Sequence, residues 1–127
     1  MEIINIGQIA IPVKDIEIAI TFYKDTLGLE FLFRAPPGLA FFKCGEVRLM
    51  LESASGLKEK KYSSIVYFRV SDIQNAFNTL SASGVDFVDK PHMIAEMPDH
   101  ELWMTFFHDP DENLLALMNE RRKKQSN

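Results

Sequence analysis

The opening stretch IINIGQIAIPV is rich in β-branched residues, and from Gln8 onward Ile9 and Ile11 alternate with Gln8 and Ala10, a period-two pattern that predicts a strand. At Asp15 the period changes. Ile16, Ala19, Ile20, Tyr23 and Leu27 then form one apolar stripe at helical spacing. Asp15 stands where an N-cap accepts free backbone N–H groups, and Gly28 stands where a helix takes its left-handed stop. Three strand patterns follow, LEFLFRA, LAFFKC and VRLMLES, punctuated by Pro36-Pro37-Gly38 and Gly45-Glu46. The first half therefore reads βαβββ.

The second half repeats the scheme. IVYFRVSDI at 65–73 restates QIAIPVKDI at 8–16, with Val70, Asp72, Ile73 and Ala76 in the register of Val13, Asp15, Ile16 and Ala19. Asp72 caps a second stripe of Ile73, Ala76, Phe77 and Leu80, stopped near Gly84, and VDFV, ELWMTFF and NLLALM supply strands. The class expected is α+β, as two βαβββ modules with mixed sheets. A single domain over 1–120 is predicted: module one at 1–55, a polar linker at 56–62 and module two at 63–120. The basic residues at 121–127 are expected to fray.

Composition narrows the functional classes. The 127 residues suit one compact domain, and the apolar and charged fractions, 46% and 25%, are those of a globular protein. No apolar run approaches the roughly 18 residues that a membrane-spanning helix needs. A net charge of −4 offers no broad attraction for nucleic acid or an anionic membrane. The start of the chain lacks a basic region followed by an apolar one, so a cytoplasmic location is expected, and the single Cys44 agrees with a reducing compartment.

Three stretches carry a family resemblance: IAIPVKDIEIAITFYKDTLGLEF, IVYFRVSDI and FFHDPDENLLALM. Together they resemble the vicinal-oxygen-chelate superfamily of glyoxalase I, extradiol dioxygenases, methylmalonyl-CoA epimerase and bleomycin-resistance proteins. The resemblance spans nearly the whole chain. It implies two modules curled into an open cup (the glyoxalase-like fold), usually as a homodimer. In that family's metalloenzymes the cup holds a divalent ion on one residue from the first and last strand of each module. Those positions carry over as Gln8, Met50, Ile65 and Ala116, where the usual occupants are His or Glu. Glu112 stands where the family's DPDGN turn usually has Gly.

The carried-over set is chemically poor. Ile65 and Ala116 have no donor atom, Gln8 has a neutral amide oxygen, and the thioether of Met50 suits copper better than zinc, nickel or magnesium. No metal site and no cofactor are therefore predicted, and ordinary glyoxalase I chemistry is not expected. A metal would need a displaced set such as Glu52, His92, His100 and Glu101.

Strand parity sorts the remaining residues. Gln8, Ala10, Arg48, Met50, Glu52, Ile65, Tyr67, Arg69, Ala116 and Met118 share the parity of the metal positions. The opposite parity, including Ile9, Ile11, Leu49, Leu51, Phe68, Leu115 and Leu117, is apolar and suits the face beneath the helices. A cup containing Tyr67, Arg48 and Arg69 suits a small ligand bearing a carboxylate or phosphate. The other reading has Arg48, Glu52 and Arg69 pairing together or reaching solvent.

The segment PHMIAEMPDHELWM, residues 91–104, precedes and enters the third strand of the second module, near the rim of the cup. Closed over the cup, it would offer His92, His100 or Glu101 as a general acid or base and Trp103 as a ligand contact. In the other reading it is a structured loop with surface histidines, and Trp103 packs in the core or a dimer interface. Three functions follow: a metal-free binder of a small organic ligand, an enzyme of lyase, isomerase or dioxygenase type built on those candidates, and an interaction module whose own side chains fill the cup.

Overall fold

The computed structural model describes residues 1, 4–53 and 64–123. In chain order the elements are β1 (Gln8–Val13), α1 (Ile16–Thr21) continued by a π-helical turn (Phe22–Thr26), β2 (Glu30–Ala35), β3 (Leu39–Cys44), β4 (Val47–Ser53), β5 (Val66–Arg69), α2 (Ile73–Ala82), β6 (Asp86–Phe87), β7 (His92–Glu96), β8 (His100–His108) and β9 (Leu114–Arg122). The chain divides into two compact units, Met1–Ser63 and Ser64–Asn127. The predicted linker at 56–62 lies outside the described residues.

In the first unit the strand order is β1-β4-β3-β2, with β1 parallel to β4 and the other pairs antiparallel. In the second it is β5-β9-β8, with β5 parallel to β9, and both β6 and β7 lie along the far edge of β8. Both sheets are mixed, and neither closes on itself. Fold class and parity split are as the sequence predicts.

The helices begin at the predicted aspartates. Asp15 Oδ1 accepts the Glu17 and Ile18 amides at 2.9 and 3.2 Å, and Asp72 Oδ1 accepts the Asn75 amide at 3.0 Å. Each side chain thereby satisfies donors that a helix start leaves without a partner. Gly28 and Gly84 take positive φ at the far ends. The stripe of the first helix buries Ala19 and Tyr23, as are Ile11, Phe42, Leu49 and Leu51 of the sheet. In the second unit Phe77 of α2 packs edge-on against Phe87, which in turn meets the buried Phe107.

Three details depart from the sequence reading. Ahead of the predicted strand ELWMTFF, residues 92–96 form β7 and make a hairpin with β8 rather than a loop, with His92 opposite Met104 and Glu96 opposite Glu101. The edge strand of the second unit is broken between β6 and β7, where Asp89 replaces strand hydrogen bonds: its Oδ1 accepts from Phe106 N at 2.8 Å and Thr105 Oγ1 at 3.1 Å. Finally, β9 runs through Arg122, two residues into the segment expected to fray. Arg121 and Arg122 pair with Glu101 and His100, and Lys123 N donates to the Asp99 carbonyl at 3.0 Å. Backbone pairing to β8, invisible in a run of basic residues, fixes that end.

Candidate functional site

Each sheet has a face covered by its helix and a face turned away from it. On the first sheet the far face is set by the parallel register Gln8↔Arg48, Ala10↔Met50 and Pro12↔Glu52, and by Phe41 opposite Met50. On the second, Tyr67↔Ala116 and Arg69↔Met118 do the same. The two registers are equivalent: Ala10 stands opposite Met50 as Tyr67 stands opposite Ala116, two residues beyond Gln8 and Ile65 respectively.

The first sheet's far face carries a connected cluster. Arg48 Nε donates to Gln8 Oε1 at 2.9 Å, and Gln8 Nε2 lies 3.6 Å from Met50 Sδ. The Arg48 guanidinium sits over the Phe41 ring, 5.2 Å from its centroid. Phe41 is stacked on Phe33, centroids 4.6 Å apart with planes at 28°. Neither phenylalanine was among the candidates. A bulge between Phe31 and Phe33 explains why: Phe31 pairs with Phe42 on the helix side, and the extra residue turns Phe33 to the far face. Simple alternation places both phenylalanines on one face.

The Gln8–Met50 contact tests the fit of a metal at the first module's pair of positions. The amide N–H points at a thioether, so the two side chains satisfy each other and present one neutral oxygen, itself engaged by Arg48. In the second module Ala116 is fully buried and carries no donor, like Ile65. These residues do not fit a hard or borderline divalent ion.

On the second sheet Tyr67 is half-exposed and meets Phe106 edge-on, centroids 6.0 Å apart. Arg69 lies 3.6 Å from Glu120, an exposed pair of the kind that contributes little.

His92, His100 and Glu101 are not brought together. His92 shares a face with Met104 and hence with His100, but sits opposite Met104, about 13 Å along β8 at strand rise. Its Nδ1 is 2.9 Å from the Lys90 carbonyl oxygen, and His100 Nδ1 is 2.8 Å from Asp99 Oδ1. Glu101 and Trp103 have the opposite parity and lie on the α2 side of the sheet, the side of Thr105 and Phe107. There Trp103 Nε1 donates to Glu101 Oε1 at 3.0 Å, and the Arg121 guanidinium lies over the indole at 4.2 Å. Trp103 is thus placed away from Tyr67 and Ala116. Among the described residues no three His, Cys, Asp or Glu side chains form a metal-holding group. Burial pushes the Cys44 thiol up, away from the reactive thiolate.

Known proteins agree with this architecture. The description Glyoxalase/Bleomycin resistance protein/Dioxygenase superfamily matches residues 5–117, and the chain belongs to that superfamily. It is 28% identical to the uncharacterized protein YraH of Bacillus subtilis (strain 168), over 87% of this chain and 94% of the relative. Among solved structures, a superfamily member from Sphaerobacter thermophilus DSM 20745 is 28% identical with a TM-score of 0.74, covering 93% of this chain and 98% of that one. A lactoylglutathione lyase from Agrobacterium tumefaciens shares the fold at 21% identity, TM-score 0.72, covering 91% and 92%.

Proposed function

We propose that this protein binds a small organic anion on the far face of its first sheet, through Arg48 supported by Gln8, Met50 and Phe41, without a resident metal at the family's usual positions. The carrying observation is the state of Arg48. Its Nε is committed to Gln8, its flat face to Phe41, and among the described residues no carboxylate bridges it. An exposed arginine held in this way keeps its terminal nitrogens as a fork that matches an anion's paired oxygens. Holding the side chain beforehand reduces the entropy lost on binding.

Two measurements test it. Elemental analysis of protein purified without a polyhistidine tag is expected to give far less than one divalent ion per chain. Titration with small carboxylates, followed by amide chemical shifts, is expected to move Gln8, Arg48 and Met50 first. One firmly held divalent ion per chain, or shifts confined to other strands, overturns the proposal.

A further inference from the structure

The far face of the first sheet has a second component that an arginine site alone does not require: an aromatic plate. Phe33 is 47% exposed although it is a large apolar side chain, and it gets there only through the bulge that breaks the alternation of β2. Beneath it Phe41 is 8% exposed and holds Phe33 on one side and the Arg48 guanidinium on the other, from the strands that flank β3. A bare half-exposed ring stacked on a buried one is a surface to which a second π-system adds with little loss of side-chain freedom. With the Phe41 centroid 4.6 Å from that of Phe33 and 5.2 Å from the guanidinium carbon, the Phe33 ring and the guanidinium are at most about 10 Å apart, a span that one bicyclic ligand can cover.

We propose that the ligand is a planar aromatic carboxylate, its ring against Phe33 and its carboxylate on the guanidinium fork of Arg48. The inference rests on the anion site described above and narrows its ligand class. Lys43 stands opposite Arg48 on β3, Glu30 stands opposite Lys43 on β2, and Glu52 lies four residues from Arg48 along β4, so shape rather than net charge selects the ligand: a planar carboxylate matches the planar fork of Arg48. Planarity favours an aryl group over an alkyl chain, because the carboxylate of an aryl acid lies in or near its ring plane and meets a guanidinium fork edge to edge.

Calorimetric and NMR titrations with 2-naphthoate, its decahydro analogue and 2-naphthyl phosphate form the test. The expected result is that 2-naphthoate binds three- to tenfold more tightly than the saturated acid, the size of a single aromatic contact, and more tightly than the phosphate. Phe33→Leu keeps the apolar bulk and should abolish the preference for the aromatic acid while leaving the saturated acid's affinity within twofold. Arg48→Gln should weaken both acids at least tenfold. Equal binding of the aromatic and saturated acids, or tighter binding of the phosphate, overturns this inference and leaves the anion site standing. Binding of neither acid at millimolar concentration removes both. The Phe33→Leu variant keeps the fold test separate: its unchanged amide spectrum outside β2 and β3 shows that the sheet is intact.

Discussion

The buried Asn119 of β9 accepts the Ile73 amide through its Oδ1 at 3.1 Å, tying the last strand of the second unit to the start of α2. At the equivalent register position of the first unit, Ser53 of β4 donates through Oγ to the Lys14 carbonyl, two residues ahead of α1, at 3.0 Å. The position is kept and the direction of the bond is reversed. In the second unit Asp72 serves Asn75, so the amide of Ile73, whose side chain is fully buried, depends on Asn119. Asn119→Leu should therefore cost about 1–3 kcal/mol, the penalty of a buried donor left without its acceptor. Urea unfolding with an unchanged m-value checks it. A loss under about 0.5 kcal/mol would mean that water replaces the side chain.

Glu112 takes φ +64° in the DPDEN turn, the left-handed conformation that glycine adopts without a Cβ penalty. The turn keeps its form because Asp109, almost wholly buried, accepts the amides of Asp111 and Asn113 at 2.9 Å each. Glu112→Gly should therefore stabilise the fold by about 0.5–1 kcal/mol, relief of strain outweighing the added freedom of the unfolded chain. Thermal unfolding reads the gain as a higher Tm.

Gly38 needs its missing side chain for another reason. A Cβ built there would lie 2.4 Å from the Ser53 carbonyl oxygen, where Ser53 N already donates to the Gly38 carbonyl at 2.7 Å. Backbone on both sides leaves nothing flexible to yield. Gly38→Ala should cost roughly 1–3 kcal/mol, and hydrogen exchange should quicken first in β3 and β4.

The outer end of the second sheet should loosen in acid. The His100 hydrogen bond holds the Asp99 carboxyl below its usual range, and the Lys123 ammonium does the same for Glu96. A carboxylate with a lowered folded pKa contributes stability above its unfolded pKa and loses it as pH falls through the folded one. Protection of the β7–β8 hairpin amides should therefore hold at neutral pH and fall below the ordinary carboxylate range. Carboxyl carbon shifts of Asp99 and Glu96 should titrate lower than those of unpaired carboxylates.

Much of this was legible along the chain, for reasons that differ by element. Asp15 and Asp72 are readable as caps because helix starts need an acceptor just where an apolar stripe begins. The alternation of β4 and β9 places Met50 and Ala116 on one face and Leu49 and Leu115 on the other because a parallel pair without bulges obeys strict parity. Phe33 was not legible. One bulge residue reverses parity, and nothing in LEFLFRA announces where it falls. Glu101 and Trp103 lie in ELWMTFF, which reads as a strand, but their face depends on which neighbour that strand pairs with, and the parity of the metal positions fixes only the first and last strands of each module. His92 and His100 drew attention by composition, while their spacing along β8 depends on pairing that sequence leaves open.

The break at Asp89 has a consequence for the molecule's neighbours in solution. An unbroken outermost strand would expose a long ladder of backbone donors and acceptors to any extended chain that drifted past. Here that border is divided into the two-residue β6 and the five-residue β7, and β7 carries its own bulge between Met93 and Ala95. Each piece is too short and too irregular to template a foreign strand, which allows Met93 and Ile94 to remain half-exposed without inviting aggregation.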